Sequence, residues 1–172
     1  MHEIFNGEAI LRVLHKHRVD FVLIGGFAAI THGSPFPTND IDVTPRTDHE
    51  NYARLSDALF ELDAKVRAQG TDPLPFDHDA DSLAAVMIWN LSTRYGDLDV
   101  TVQPSGTRGY DDLRRDALTI RIRGVDVCVA SLADIVRSKE AAGRDKDRRV
   151  LPVLRELVAR ETRARAEARR RR

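Results

Sequence analysis

The apolar run Phe21-Val22-Leu23-Ile24, then Gly25-Gly26, then Asp40-Ile41-Asp42-Val43, constrains this chain more than any other feature. Four consecutive apolar residues bounded by glycine read as a short strand buried on both faces. The paired glycines permit positive φ and close approach of the backbone to a ligand, so they read as a turn able to hold phosphates. Ala28, Ala29 and Ile30 suggest a short helix after the turn. On a strand, Asp40 and Asp42 at i and i+2 point their carboxylates to one face, while Ile41 and Val43 point to the other. Two adjacent anions repel and call for a cation. Oxygen donors that share a metal with substrate phosphates favour Mg2+, or Mn2+ in its place. A Gly-Gly turn or an exposed pair of aspartates is often structural when found alone. Here their order and spacing, with a helix-length gap between them, point to a site.

The rest of the chain alternates helix and strand. Ile10, Val13, Leu14 and His17 mark one face of a first helix. Thr47-Asp48-His49-Glu50 reads as a capping box that opens a helix with Tyr52, Leu55, Leu59, Leu62 and Val66 inward. Residues 70–81, with Pro73 and Pro75, form a loop. Strands are expected over 86–91 and 98–102 around a turn at Thr93-Arg94-Tyr95-Gly96, and a hairpin over 118–122 and 125–129 around Arg123-Gly124. Two helices follow, the first opened by Ser131 with Asp134 as its capping partner. The fold class is therefore α/β (α+β), a mixed sheet flanked by helices with a helical C-terminal part. An α/β core over 1–130 and a helical part over 131–172 are expected to form one compact unit.

Composition bounds the function classes. The 172 residues suit a single domain, and no apolar run approaches the roughly 20 residues that cross a bilayer. The start Met1-His2-Glu3-Ile4 lacks a basic segment followed by an apolar one, which argues against secretion and for a cytoplasmic protein. Cys128, the only cysteine, lies in the apolar run Val127-Cys128-Val129 and reads as a small buried hydrophobe in a reducing compartment. Lys and Arg balance Asp and Glu at 27 each, yet arginines from Arg155 to Arg172 crowd the C-terminus. Such a cluster attracts nucleic-acid phosphates without reading sequence. With Glu156, Glu161 and Glu167 among them, it also reads as a solvated helix end.

Lys139 breaks its helix pattern. It lies four residues after Ile135 and three after Val136, so it projects from the apolar side. Its stem could snorkel along that face, or its ammonium could reach a cleft. Asp147 shows the same anomaly, three before Val150 and four before Leu151. Gly33 to Thr38, stiffened by Pro35 and Pro37, reads as the loop that shapes a pocket. His32 reads as the polar end of a short helix, and Arg46 and Arg94 are conceivable phosphate ligands that most often stay solvated.

The strand, Gly25-Gly26, short helix and Asp40-x-Asp42 strand resemble the signature of the nucleotidyltransferase superfamily. More narrowly, Gly25-Gly26-Phe27-Ala28-Ala29, His32-Gly33, Thr38-Asn39-Asp40-Ile41-Asp42-Val43, Ser138-Lys139 and Asp145-Lys146-Asp147 look like the MenT and AbiEii-type toxins of bacterial toxin–antitoxin systems, over most of the chain to about Leu157. The resemblance implies transfer of nucleotides from an NTP to the 3′ acceptor end of tRNA, which blocks translation, and a cognate antitoxin as partner. It makes Asp40 and Asp42 metal carboxylates, adds Asp99 from a neighbouring strand as the third, and places Gly25, Gly26, Thr38 and Lys139 on the nucleotide. Lys139 would meet the β and γ phosphates, Asp147 would join the catalytic set, and Thr38 would be a site of silencing phosphorylation. Three other readings stay open. They are AMP transfer to a protein, a haloacid-dehalogenase-type phosphatase, since Asp40-Ile41-Asp42-Val43-Thr44 fits its DxDxT pattern, and a non-catalytic binding partner.

Overall fold

The computed structural model describes residues 4–171. From the N-terminus, α1 (Gly7–Lys16) leads to β1 (Phe21–Ile24), α2 (Gly25–Thr31), β2 (Asp40–Pro45), α3 (His49–Glu61), β3 (Lys65–Val66), α4 (Ala80–Ala84), β4 (Ile88–Thr93) and β5 (Gly96–Thr101). Then come α5 (Tyr110–Asp116), the hairpin β6 (Leu118–Ile122) and β7 (Val125–Val129), and the helices α6 (Leu132–Ala142) and α7 (Asp145–Arg170). The strands form one mixed sheet of order β3-β4-β5-β2-β1-β7-β6. β1 runs antiparallel to β2 and parallel to β7, while β2 runs parallel to β5. The expected mixed sheet with flanking helices and a helical C-terminal part is what the chain forms.

Local sequence explains the central elements. All of β1 is buried, as a four-residue apolar strand must be when strands flank it and α2 and α5 pack on it. The side chain of Asn6 accepts the Ala9 N–H at 3.0 Å to start α1, which buries Ile10, Leu11 and Leu14. In β2, Ile41 and Val43 are buried while Asp40 and Asp42 are half-exposed on the other face, the alternation expected of i and i+2. Ser131 caps α6 by accepting the Asp134 N–H at 3.1 Å. Gly143 ends that helix in the left-handed region, at φ 60°, and returns its N–H to the Lys139 carbonyl at 3.0 Å. That reversal folds α7 back onto α6 and buries Leu151 and Leu154.

Several boundaries differ from the sequence reading, each for a local reason. Asp48, not Thr47, caps α3: its carboxylate accepts the Asn51 N–H at 2.9 Å. The helix stops at Leu62 because Asp63 turns to φ 51°, and Val66 therefore pairs with Leu91 across β3 and β4 instead of lying on the helix. His17 is not on the buried face of α1. It terminates the helix, and its ring bonds Glu61 at 2.6 Å. The segment read as a loop over 70–81 holds a bridge between Val66 and Leu74, and α4 starts at Ala80 behind an Asp79–Ser82 capping box. β4 begins at Ile88, with Val86 and Met87 exposed ahead of it. α5 has no counterpart in the sequence reading. Its one large core residue is Leu113, and the buried carboxylate of Asp112 anchors it through the Arg108 N–H and the Arg137 side chain, each at 3.0 Å. Cys128 is half-buried rather than buried, and its burial pushes the thiol pKa up.

Candidate active site

Sheet register brings the carboxylates together. Asp42 lies beside Ile24, the last residue of β1, and opposite Asp99 on β5; Asp40 lies opposite Asp97. Because β2 and β5 are parallel and in register, Asp40, Asp42 and Asp99 each present a carboxylate oxygen, all within 4.8 Å of one another. Burial, then the nearby charges of Asp40 and Asp99, push the Asp42 pKa up to about 7, against a smaller opposing pull from Lys146 and Lys139. Asp99 is raised mainly by burial, with Arg67 opposing.

The two glycines serve this carboxylate. Gly25 opens α2 at φ +76°, and a Cβ there would sit 2.0 Å from Asp42 Oδ2. A Cβ on Gly26 would come within 3.0 Å of Thr38 Oγ1. The missing side chains thus leave room for Asp42 and Thr38, while both glycines also line the cleft. Thr38 Oγ1 donates to Asp40 Oδ1 at 2.6 Å, fixing that carboxylate from the preceding loop. Ser34, Phe36 and Pro37 bring the same loop into the wall of the cleft, as the sequence suggested.

Facing the carboxylates across a cleft of about 550 Å³ are Ser138, Lys139, Arg144 and Lys146 from the α6–α7 hairpin. Asp147 is not on the cleft surface. It is fully enclosed, and it accepts from Lys139 Nζ at 3.2 Å and from Arg144 Nε at 2.7 Å. Burial by itself would raise its pKa, but the Arg144 and Lys139 hydrogen bonds outweigh that and hold it below the usual carboxylate value. Asp147 therefore positions two cations. We expect Asp147→Ala to cost about 3 kcal/mol, because it leaves a largely buried Lys139 without its counter-charge. Urea denaturation at neutral pH checks this, and a loss below about 0.5 kcal/mol would place the pair among exposed ion pairs of little worth.

The remaining sequence candidates are elsewhere. His32 hydrogen-bonds the Ala130 carbonyl at 2.9 Å and meets Glu161 at 3.3 Å, tying α2 to the start of α6 and to α7. Arg46 pairs with Asp20 and Asp48, and Arg94 is exposed away from the cleft. Sequence reading gives no role to Arg67, Asn90 or Arg144, and includes Lys146 only within a longer match. Arg67 hydrogen-bonds both Asp97, at 2.9 Å, and Asp99. Asn90 and Lys146 line the cleft, and Lys146 makes no ion pair among the described residues. No periodicity could have revealed them, since each arrives through strand register or a tight helical turn.

The donor set fits a divalent cation. It offers only hard carboxylate oxygens, burial and the neighbouring Asp40 and Asp99 disfavour the negative charge on Asp42 so that a cation there would offset it, and the Arg67 guanidinium already stands as a cation on Asp99. The phosphatase reading requires an apolar strand leading into Asp40, but β2 begins at Asp40 itself, after Pro37-Thr38-Asn39.

No family model matches the sequence, and no curated protein matches it. Among solved structures, the fold is similar to that of a crystal structure from Thermotoga maritima described as "a putative nucleotidyltransferase", with 17% identity and a TM-score of 0.53 over 92% of this chain and 98% of that one. At that identity the likeness speaks for architecture alone, and on architecture it agrees with the mixed sheet and its flanking helices: the chain has a nucleotidyltransferase-like fold.

Proposed function

We propose that the protein is a metal-dependent nucleotidyltransferase toxin that transfers nucleotides from an NTP to the 3′ acceptor end of tRNA and is neutralised by a cognate antitoxin. One observation carries the reading: three carboxylates on adjacent strands face a set of cations across a cleft large enough for a nucleotide. Asp40, Asp42 and Asp99 would hold Mg2+ or Mn2+, which when bound offsets the charge of the triphosphate and of the attacking oxygen. Lys139 and Lys146 attract the triphosphate from the opposite wall, Lys139 aimed by Asp147 and Lys146 without an ion pair among the described residues. The acceptor hydroxyl oxygen bonds to the α-phosphorus as the bond to the β-phosphate oxygen breaks. Pyrophosphate leaves, and the hydroxyl proton passes to the Asp99 carboxylate, which the register of β2 and β5 places opposite Asp42.

The tRNA assignment rests on the motif resemblance and on α7. That helix runs 26 residues, and every residue from Thr162 to Arg171 is exposed. Arg160 and Arg163 share Glu156, an exposed arrangement of little energetic worth that phosphates can displace. Thr38, hydrogen-bonded to Asp40, is the position where a phosphate would add about two negative charges beside the metal carboxylates and silence the site. No helix among the described residues is long and apolar enough to cross a membrane.

Incubation with labelled NTPs and bulk tRNA tests the proposal. Label on the tRNA 3′ end supports it. Label on a protein points to AMP transfer, free phosphate points to a phosphatase, and unchanged NTP and tRNA point to a binding role; any of these outcomes overturns it. We further expect Lys139→Ala to raise the KM for NTP about tenfold while the tRNA Kd stays within about twofold. Parallel loss of both affinities would assign Lys139 to structure instead.

A further inference from the structure

Arg67 follows β3 at the edge of the sheet, where its backbone N–H donates to the Asn90 carbonyl at 2.9 Å. Asn90 pairs with Asp99 and Asp99 with Asp42, so Arg67, Asn90, Asp99 and Asp42 form one row across four neighbouring strands. The Arg67 side chain crosses β4 and divides its fork on β5: Nη1 donates to Asp97 Oδ2 at 2.9 Å, and Nη2 donates to Asp99 Oδ1. Among the described residues, Asp97 and Asp99 make no other ion pair. The Arg67 side chain is two-thirds enclosed, its Nε is buried without a partner among the described residues, and both Nη groups end on these two carboxylates.

Charge explains why a cation belongs there. The alternation of β2 and β5 puts Asp40, Asp42, Asp97 and Asp99 on one face, and Arg67 is the only residue that forms an ion pair with any of them among the described residues. A divalent cation that uses Asp99 needs a carboxylate that Arg67 already occupies through a charge-assisted hydrogen bond. We infer that Arg67 competes with the divalent cation for Asp99. Without metal, the guanidinium offsets the crowded carboxylates. With metal, the cation draws on a carboxylate whose Oδ1 the guanidinium already holds, so Arg67 is a positioning residue that sets metal affinity. This inference rests on the metal site proposed above.

The test measures Mn2+ binding to the full chain by electron paramagnetic resonance at pH 8, where Asp42 is mostly ionised. Arg67→Met keeps the apolar stem and removes the fork, and it is expected to bind Mn2+ about tenfold tighter; Arg67→Lys, which keeps the charge but not the fork, about threefold tighter. A residue acting only as a distant positive charge would also tighten binding when removed, so the same change is made on Asp99→Asn. There the gain from Arg67→Met should fall below about twofold, because the contested carboxylate is gone. Folded Arg67→Met and Arg67→Lys proteins that bind Mn2+ no tighter than the wild type would overturn the inference. So would an equal gain on the Asp99→Asn background. If the wild type and every variant bind no Mn2+, the metal site and the inference fall together; normal binding insensitive to Arg67 removes the inference alone.

Discussion

Asp40→Asn and Asp42→Asn are each expected to lower nucleotide transfer at saturating Mg2+ by more than about 100-fold, because each removes a carboxylate from a set of three. The same two variants should keep the fold, and Asp42→Asn should stabilise it in the absence of metal. The sign follows from protonation. The Asp42 pKa rises from 3.8 in the unfolded chain to about 7 in the folded one. Between those values the native state binds the extra proton, so stability falls as pH rises towards 7 and the full penalty applies above it. At pH 8 without metal, Asp42→Asn should therefore gain about 2 kcal/mol over the wild type, less than the full shift implies because the residue is half-buried. The gain should fade towards pH 4, where the wild-type carboxyl is protonated in the folded state. Urea denaturation at both pH values, with chelator present, measures it. A gain independent of pH would mean that the crowded carboxylate is not its source, and near wild-type transfer by either variant would remove the site.

Gly25→Ala is expected to abolish transfer and to cost roughly 2–4 kcal/mol of stability. Two independent penalties combine at this residue. Its φ of +76° disfavours any side chain, and the new methyl would sit 2.0 Å from Asp42 Oδ2 and 2.6 Å from Asp42 Cγ. Either the carboxylate moves out of line with Asp40 and Asp99 or the start of α2 shifts. Both disturb the cluster. Gly70→Ala is the control: its φ is also +76°, but nothing lies within 4 Å of its Cβ, so it carries the backbone strain without the clash. If Gly25→Ala lost no more activity and stability than Gly70→Ala, the proximity of Gly25 to Asp42 would have no functional meaning.

Short-range patterns are legible in the amino-acid sequence. The four apolar residues of β1, the alternation in β2, the β6–β7 hairpin around Arg123-Gly124 and the Ser131 cap of α6 each follow from side-chain period or local hydrogen bonding within a few residues. So does the pairing of Asp40 with Asp42 on one face. α5 leaves no such pattern, because a buried carboxylate, not an apolar stripe, secures it. The end of α3 is masked because Val66 continues the helical spacing although Asp63 has already turned the chain.

The sequence by itself determined the strand, the glycines, the Asp40–Asp42 pair and the odd placement of Lys139 and Asp147 within their helices, since all of these depend on neighbours within a turn or two. Only the tertiary structure decided that Asp99 joins that pair, because this depends on β2 and β5, separated by residues 46–95, being adjacent, parallel and in register. The same holds for Asp147, which the α6–α7 reversal encloses beneath Lys139, and for Arg67, which edge-strand pairing delivers to Asp99. Contacts between residues far apart in sequence are set by how buried faces pack, and no periodicity along a single chain records them.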